Sequence, residues 1–190
     1  MFGKLPTLPF VVPLGIVLFV VLLWLLHRRG RLTVARSAVA AAAALYSGGI
    51  VANTVFPIYL AWPSSGGSEL LPLNLVPVVD YEIDDAVQNI LVFVPLGILV
   101  SLMLARPTWL RVITICAGIS LGIEVAQFLT ARLAHGGHVA DVNDWISNSV
   151  GGVLGWALSA ACMRQPVLAR WIGRFRWPTT QSGVRPSRSA

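Results

Sequence analysis

Three carboxylates set the chemistry open to this sequence. Asp141 and Asp144 begin the stretch Asp141-Val-Asn-Asp144-Trp-Ile-Ser-Asn148-Ser-Val-Gly151-Gly152-Val-Leu-Gly155, which runs directly into an apolar, glycine-spaced segment. Glu124 stands inside the apolar segment before it. Carboxylates at the edge of hydrocarbon or within it are costly unless they face protein, water or a ligand, so their position marks a candidate site. Paired carboxylates can act as general acid and base or hold a hard divalent cation through oxygen. They can equally bind an amine or the polar head of a lipid-linked molecule. Glu124, Asp141 and Asp144 are therefore the catalytic candidates. His135 and His138, three residues apart, do not make a zinc motif, and no metal ligand is assigned.

The elements that must position these groups follow from hydropathy. Of the 190 residues, 56% are hydrophobic and 12% charged, which excludes a soluble domain. The net charge of +6 comes from basic residues flanking apolar runs, so it reflects membrane topology and no nucleic-acid partner is expected. Apolar runs of span length cover residues 7 to 26, 34 to 56, 86 to 105, 110 to 130 and 145 to 163. The first is followed by its arginines and lacks a small-x-small cleavage pattern, so it is read as a retained span and not a signal peptide. The expected fold is all-α, a polytopic transmembrane bundle of five spans. Cys116 and Cys162 have no partner at ligand spacing and are read as buried hydrophobes.

Arginines orient the bundle. Four lie between spans one and two, two between spans three and four and six after span five, leaving only Lys4 and Arg132 of the fourteen basic residues. By the positive-inside rule the N-terminus is outside and the C-terminus cytoplasmic. Every carboxylate then falls in an outer segment or, for Glu124, in the outer half of span four. Residues 167 to 177 place Leu168, Trp171, Ile172 and Phe175 at helical spacing among arginines, as in an amphipathic helix on anionic lipid. The domains expected are two N-terminal spans (1–61), a core of an outer loop and three spans (62–163), a basic amphipathic segment (164–177) and a disordered tail (178–190).

Depth brings the polar residues together. At a rise of about 1.5 Å per residue, Asn89 is one turn into span three, Glu124 two turns below the outer end of span four and Asn148 one turn into span five. Glu124 and Gln127 share a helix face, as do Asp144 and Asn148. Three helices are thus expected to converge on a polar chamber open to the outside. Small residues at Ser147, Gly151, Gly155 and Ser159, and at Gly118, Gly122 and Ala126, allow close packing, with span four flanked by protein on both faces. Asn53 is read as a helix-to-helix hydrogen bond. Capping competes for the aspartates, because Asp141 with Asp144 and Asp85 with Gln88 have the spacing of capping boxes. Capping does not account for Glu124, which is inside a helix.

The motif order Asn74-Leu-Val-Pro77, Asn89-Ile-Leu-Val-Phe93-Val-Pro95-Leu-Gly97, Glu124-Val-Ala-Gln127 and Asp141-x-x-Asp144-x-x-x-Asn148-x-x-Gly151-x-x-x-Gly155 closely resembles the VanZ family. The resemblance covers about residues 70 to 160. It implies a small multi-pass protein of the bacterial cell membrane with an envelope role, since the namesake confers low-level teicoplanin resistance without the known enzymes that rebuild the peptidoglycan terminus. The family commonly carries arginine three residues before the first aspartate. Here His138 holds that place, so a permanent arginine-carboxylate pair requires Arg132 to fold back.

The binding residues expected are Asn74, Asn89, Gln127, Arg132, His138 and Asn148. One function is a binding or shielding role toward a lipid-linked peptidoglycan precursor, a phospholipid or a lipophilic glycopeptide. Another is an intramembrane enzyme with Glu124 and Asp144 as acid and base, and a third is a purely structural membrane protein. No cofactor is expected, a divalent cation at the acidic cluster being the open alternative. Oligomeric state is left open by the sequence.

Overall fold

Helices form where the hydropathy places them, and their ends are set by polar residues that hydropathy ignores. The structure, a computed structural model, describes residues 5–54, 56, 58, 73–77, 82–133 and 139–177. His135, His138, the middle of the loop after span two and the tail 178–190 lie outside them. In chain order the elements are α1 (Leu8–Arg28), α2 (Val34–Thr54), β1 (Leu73–Asn74), α3 (Ile83–Met103), α4 (Trp109–Leu133), β2 (Ala140–Asp141), α5 (Val142–Arg164) and α6 (Pro166–Ile172). The first five helices are each long and apolar enough to cross a membrane.

Both α3 and α5 start three residues before the expected positions. Asp84 and Asp85 stand in the first turn of α3 and Asp144 in that of α5, where the helix dipole favours negative charge. Asp85 is consequently not the cap of α3, as its spacing with Gln88 suggested; the cap is Glu82, which makes no side-chain capping bond.

Polarity is distributed as lipid solvation requires. Ser101, Ser120, Glu124, Gln127, Ser147 and Asn148 are buried, while Phe10, Ile16, Leu91, Leu121, Val125 and Leu154 are exposed. Two hydroxyls inside the helices are satisfied by their own backbone, Ser101 donating to Gly97 O at 2.7 Å and Ser149 to Trp145 O at 2.7 Å.

The centre of the bundle is the crossing of α3 and α5. A Cβ added at Gly97 would lie on the carbonyl of Gly152, and one at Gly151 or Gly155 on the carbonyls of Ile90 or Val94. Gly152 turns to α4, where an added Cβ would meet Cys116. The small residues of α5 therefore serve two neighbours at once. Those of α4 serve none among the described residues: Gly118 and Gly122 are exposed and an added Cβ at either meets nothing within 4 Å. The second protein neighbour expected for span four is not among the described residues of this chain. The buried side of α4 is instead Val112, Cys116, Ser120, Ile123 and Gln127.

The C-terminal segment does two things where one was expected. Gln165, extended at φ −87 and ψ 119, separates α6 from α5, and Val167, Leu168 and Trp171 of α6 are exposed. Beyond α6 the chain folds inward. Trp177 is buried among Leu22, Leu26, Val39 and Ala40, and its backbone N–H donates to Leu102 O at 3.0 Å. Arg31 donates to Trp177 O at 3.2 Å and Arg36 Nε to Arg176 O at 2.9 Å. The segment to residue 177 thus does not lie wholly on a lipid surface, because the indole contributes more apolar area inside the bundle.

The all-α expectation needs one amendment. β1 and β2 pair in parallel, Leu73 with Ala140 and Asn74 with Asp141. Two residues per strand carry no periodicity that a sequence can announce.

Candidate functional site

The site grows from Asp141, the residue that ends β2 and caps α5. Its backbone is extended, at φ −129 and ψ 127, and Oδ1 accepts from Asn143 N and from Asn143 Nδ2, each at 2.8 Å. Oδ2 accepts from Asn74 Nδ2 at 3.0 Å across the strand pair. Half of the expected capping box is therefore present. The reciprocal half is not, since the N–H of Asp141 donates to Glu124 Oε2 at 2.8 Å and not to Asp144.

That exchange releases Asp144 for another role. Its Oδ1 accepts from Asn89 Nδ2 of α3 at 2.5 Å. One carboxylate of α5 thereby ties to α3, while the carboxylate of α4 ties to the head of α5. Side chains of α3, α4 and α5 thus meet around the first turn of α5.

A cavity of about 730 Å³ opens beside these groups, between α2 and the α3, α4 and α5 core. Its polar lining is Tyr46 and Asn53 of α2, Asp85, Gln88 and Asn89 of α3, Gln127 of α4, and Asp141 and Asp144. The α2 and α3 contributors recur at spacings of three, four and seven, so each set lies on one helix face. That spacing was the signal that Tyr46, Gly49 and Asn53 form a lining face. Asn53 accordingly faces the cavity and is not the expected bond between helices.

Glu124 lines a different space. It is 8% exposed and borders an apolar groove of about 410 Å³ with Leu121, Val125, Phe128 and Trp145, the Asp141 side chain forming the seam between groove and cavity. Asn148 also departs from its expected direction. Its Nδ2 donates to Ser120 Oγ at 3.0 Å in the interior, so Asp144 and Asn148 serve different helices although four residues apart. Trp145 Nε1, donating to Ala117 O at 2.9 Å, fixes the first turn of α5 on α4.

Arg132 does not fold back onto the aspartates. It is exposed on the last turn of α4, with its guanidinium 6.0 Å from the Phe128 ring. Lys, Arg and His are absent from the described residues that line the cavity. His138 lies outside the described residues. Asn143 was not singled out by its sequence, yet it holds Asp141 from both backbone and side chain and its Nδ2 reaches Val76 O at 3.4 Å.

These contacts separate two roles for Glu124. If its carboxylate serves as the acceptor for Asp141 N–H, Glu124→Gln keeps an oxygen there and changes stability by less than about 1 kcal/mol. Glu124→Ala leaves a half-buried donor unsatisfied and is expected to cost about 1–3 kcal/mol. Thermal unfolding of the purified variants checks the order.

Taken together, the features define a helical multi-pass membrane protein with an acidic, amide-lined cavity at one end of its bundle. The chain belongs to the VanZ/LLP1 family, whose model matches residues 43–163. It is similar to Protein VanZ of Enterococcus faecium, with 32% identity over 104 residues, 53% of this chain and 62% of that protein. The chain thus spans 62% of the length of the curated relative it matches. No solved structure matches it. The family match begins within α2, so the α2 wall of the cavity, apart from Ala42 at its edge, falls inside the matched region.

Proposed function

We propose that the protein sits in the bacterial cell membrane with its N-terminus outside and its C-terminus in the cytoplasm, and that its cavity receives the polar head of an envelope amphiphile at the outer leaflet. The occupant is a lipid-linked peptidoglycan precursor, a phospholipid or a lipophilic glycopeptide, and its capture lowers teicoplanin access at the surface. The carrying observation is the 730 Å³ cavity bearing Asp85, Asp141 and Asp144 with the amides of Asn89 and Gln127. Arginine-rich segments at the opposite end of the bundle support the orientation by the positive-inside rule. Residues 62–163 supply the core of the site, and the two N-terminal spans add its α2 wall. The segment 164–177 rests on the inner leaflet through α6. The reading assigns the carboxylates no metal ion and no catalytic step. The enzymatic alternative needs Glu124 and Asp144 at one reacting centre, and they line different spaces.

A filling substitution tests the cavity without touching a carboxylate. Gly49 lines it, and an added Cβ there meets nothing within 4 Å. Gly49→Phe is expected to accumulate in the membrane at wild-type abundance while removing teicoplanin protection from a sensitive bacterium. Protection at the wild-type level would contradict occupancy of this cavity.

A further inference from the structure

The lining of the cavity is chemically one-sided. Three carboxylates, Asp85, Asp141 and Asp144, border it, and none of its described lining residues is basic. A second observation is independent of the acids: Gln127 lines the same cavity, is 5% exposed, and its Oε1 is buried without a hydrogen-bond partner. A buried carbonyl oxygen left unpaired is costly, and a ligand carrying N–H donors would satisfy it. Carboxylates and an orphaned acceptor around one space select a cation that donates hydrogen bonds.

The way in is apolar. A groove of about 470 Å³ shares Tyr46, Gln88 and Val92 with the cavity and continues along Val87, Leu91 and Pro95 of α3. Leu91 is 64% exposed there, so the groove faces hydrocarbon. Asp84 lies at the groove's polar end. A molecule with its charged head in the cavity would keep its tail in this groove, between α2 and α3, without leaving the bilayer.

We infer that the cavity is a site for an ammonium group carried on an apolar tail, entering sideways from the membrane between α2 and α3. The ammonium donates to Gln127 Oε1 and is balanced by Asp85 and Asp144, while the tail lies against Val87 and Leu91. This inference rests on the amphiphile-binding reading above and names the chemistry of the head. The ammonium of a lipid head group and the amino group of a lipid-linked molecule share that chemistry; a small soluble amine does not share the tail.

The test is calorimetric titration of the purified full chain, in nonionic maltoside micelles at pH 7, with dodecylamine, dodecanol and butylamine. Dodecylamine is expected to bind at one equivalent and about ten-fold or more tighter than dodecanol, the discrimination that one hydrogen bond from a charged donor supplies. Asp144→Asn and Asp85→Asn, each nearly isosteric, are expected to reduce that preference. Dodecanol binding as tightly as dodecylamine, or an undiminished preference in both variants, overturns the inference. Butylamine binding as tightly as dodecylamine also overturns it, because the site would then take a soluble amine. No amine preference in the wild type, together with loss of teicoplanin protection in Gly49→Phe, would leave the binding reading standing and remove the ammonium alone.

Discussion

Replacing Gly97 by valine is expected to abolish accumulation of the folded protein. The Cβ of any residue at 97 would lie on the Gly152 carbonyl, with the Gly152 Cα and carbonyl carbon 3.0 Å away. These are backbone atoms of a helix that is itself wedged between α3 and α4, so nothing flexible gives way. Overpacking in a closely fitted interior costs about 1–3 kcal/mol when side chains can shift, and more when backbone must move. Because α3 carries Asn89 and α5 carries Asp144, separating the helices also breaks the bond between them. Gly118→Val is the matched control, since its Cβ meets nothing within 4 Å. Membrane abundance and thermal stability in detergent are expected to collapse for the first variant and stay near wild type for the second.

The same contrast shows what a small-residue pattern conveys. Glycines four apart announce that a close approach is possible, and on α5 the approach exists; on α4 the same spacing lies on an exposed face. Spacing fixes a face of a helix but not its neighbour. Asp144 and Asn148 illustrate the limit again, because two helices press on neighbouring parts of the same face and each takes one residue.

Most of the bundle was legible because its solvent is hydrocarbon. Twenty apolar residues per span are required by bilayer thickness, and five runs supply them. Depth alone put Asn89, Glu124 and Asn148 at one level, since helix rise is constant. It does not give the direction in which each side chain turns, and Asn148 turns to Ser120. The helix starts at Ile83 and Val142 were less legible, because first-turn aspartates look like loop to a hydropathy scale and like favourable charge to a helix dipole. The pairing of Asn74 with Asp141 was hidden for another reason. It joins residues 67 apart through one side-chain bond and a two-residue ladder, neither of which leaves a local pattern. The burial of Trp177 was equally silent, as it depends on Leu22, Leu26 and Val39 being left uncovered at that end of α1 and α2.

Capping and function, which the sequence left in competition for the aspartates, separate in the structure by residue. Asp141 has the contacts of an organiser: three donors on its carboxylate and its own N–H on Glu124. Asp144 has no capping bond to the Asp141 N–H and borders the cavity. Its charge is therefore the more specific probe of function. Asparagine at 144 keeps the size and leaves a side-chain oxygen for Asn89 while removing the negative charge.

The measurement that bears most directly on the account is the teicoplanin and vancomycin susceptibility of a sensitive bacterium expressing wild type or Asp144→Asn at matched membrane abundance. The account predicts that the wild type protects against teicoplanin and that the variant loses most of this protection, with thermal stability lowered by no more than about 1.5–3 kcal/mol, the scale of a hydrogen bond to a charged group. Teicoplanin protection undiminished in the variant would contradict it and return Asp144 to a purely structural part in joining α5 to α3.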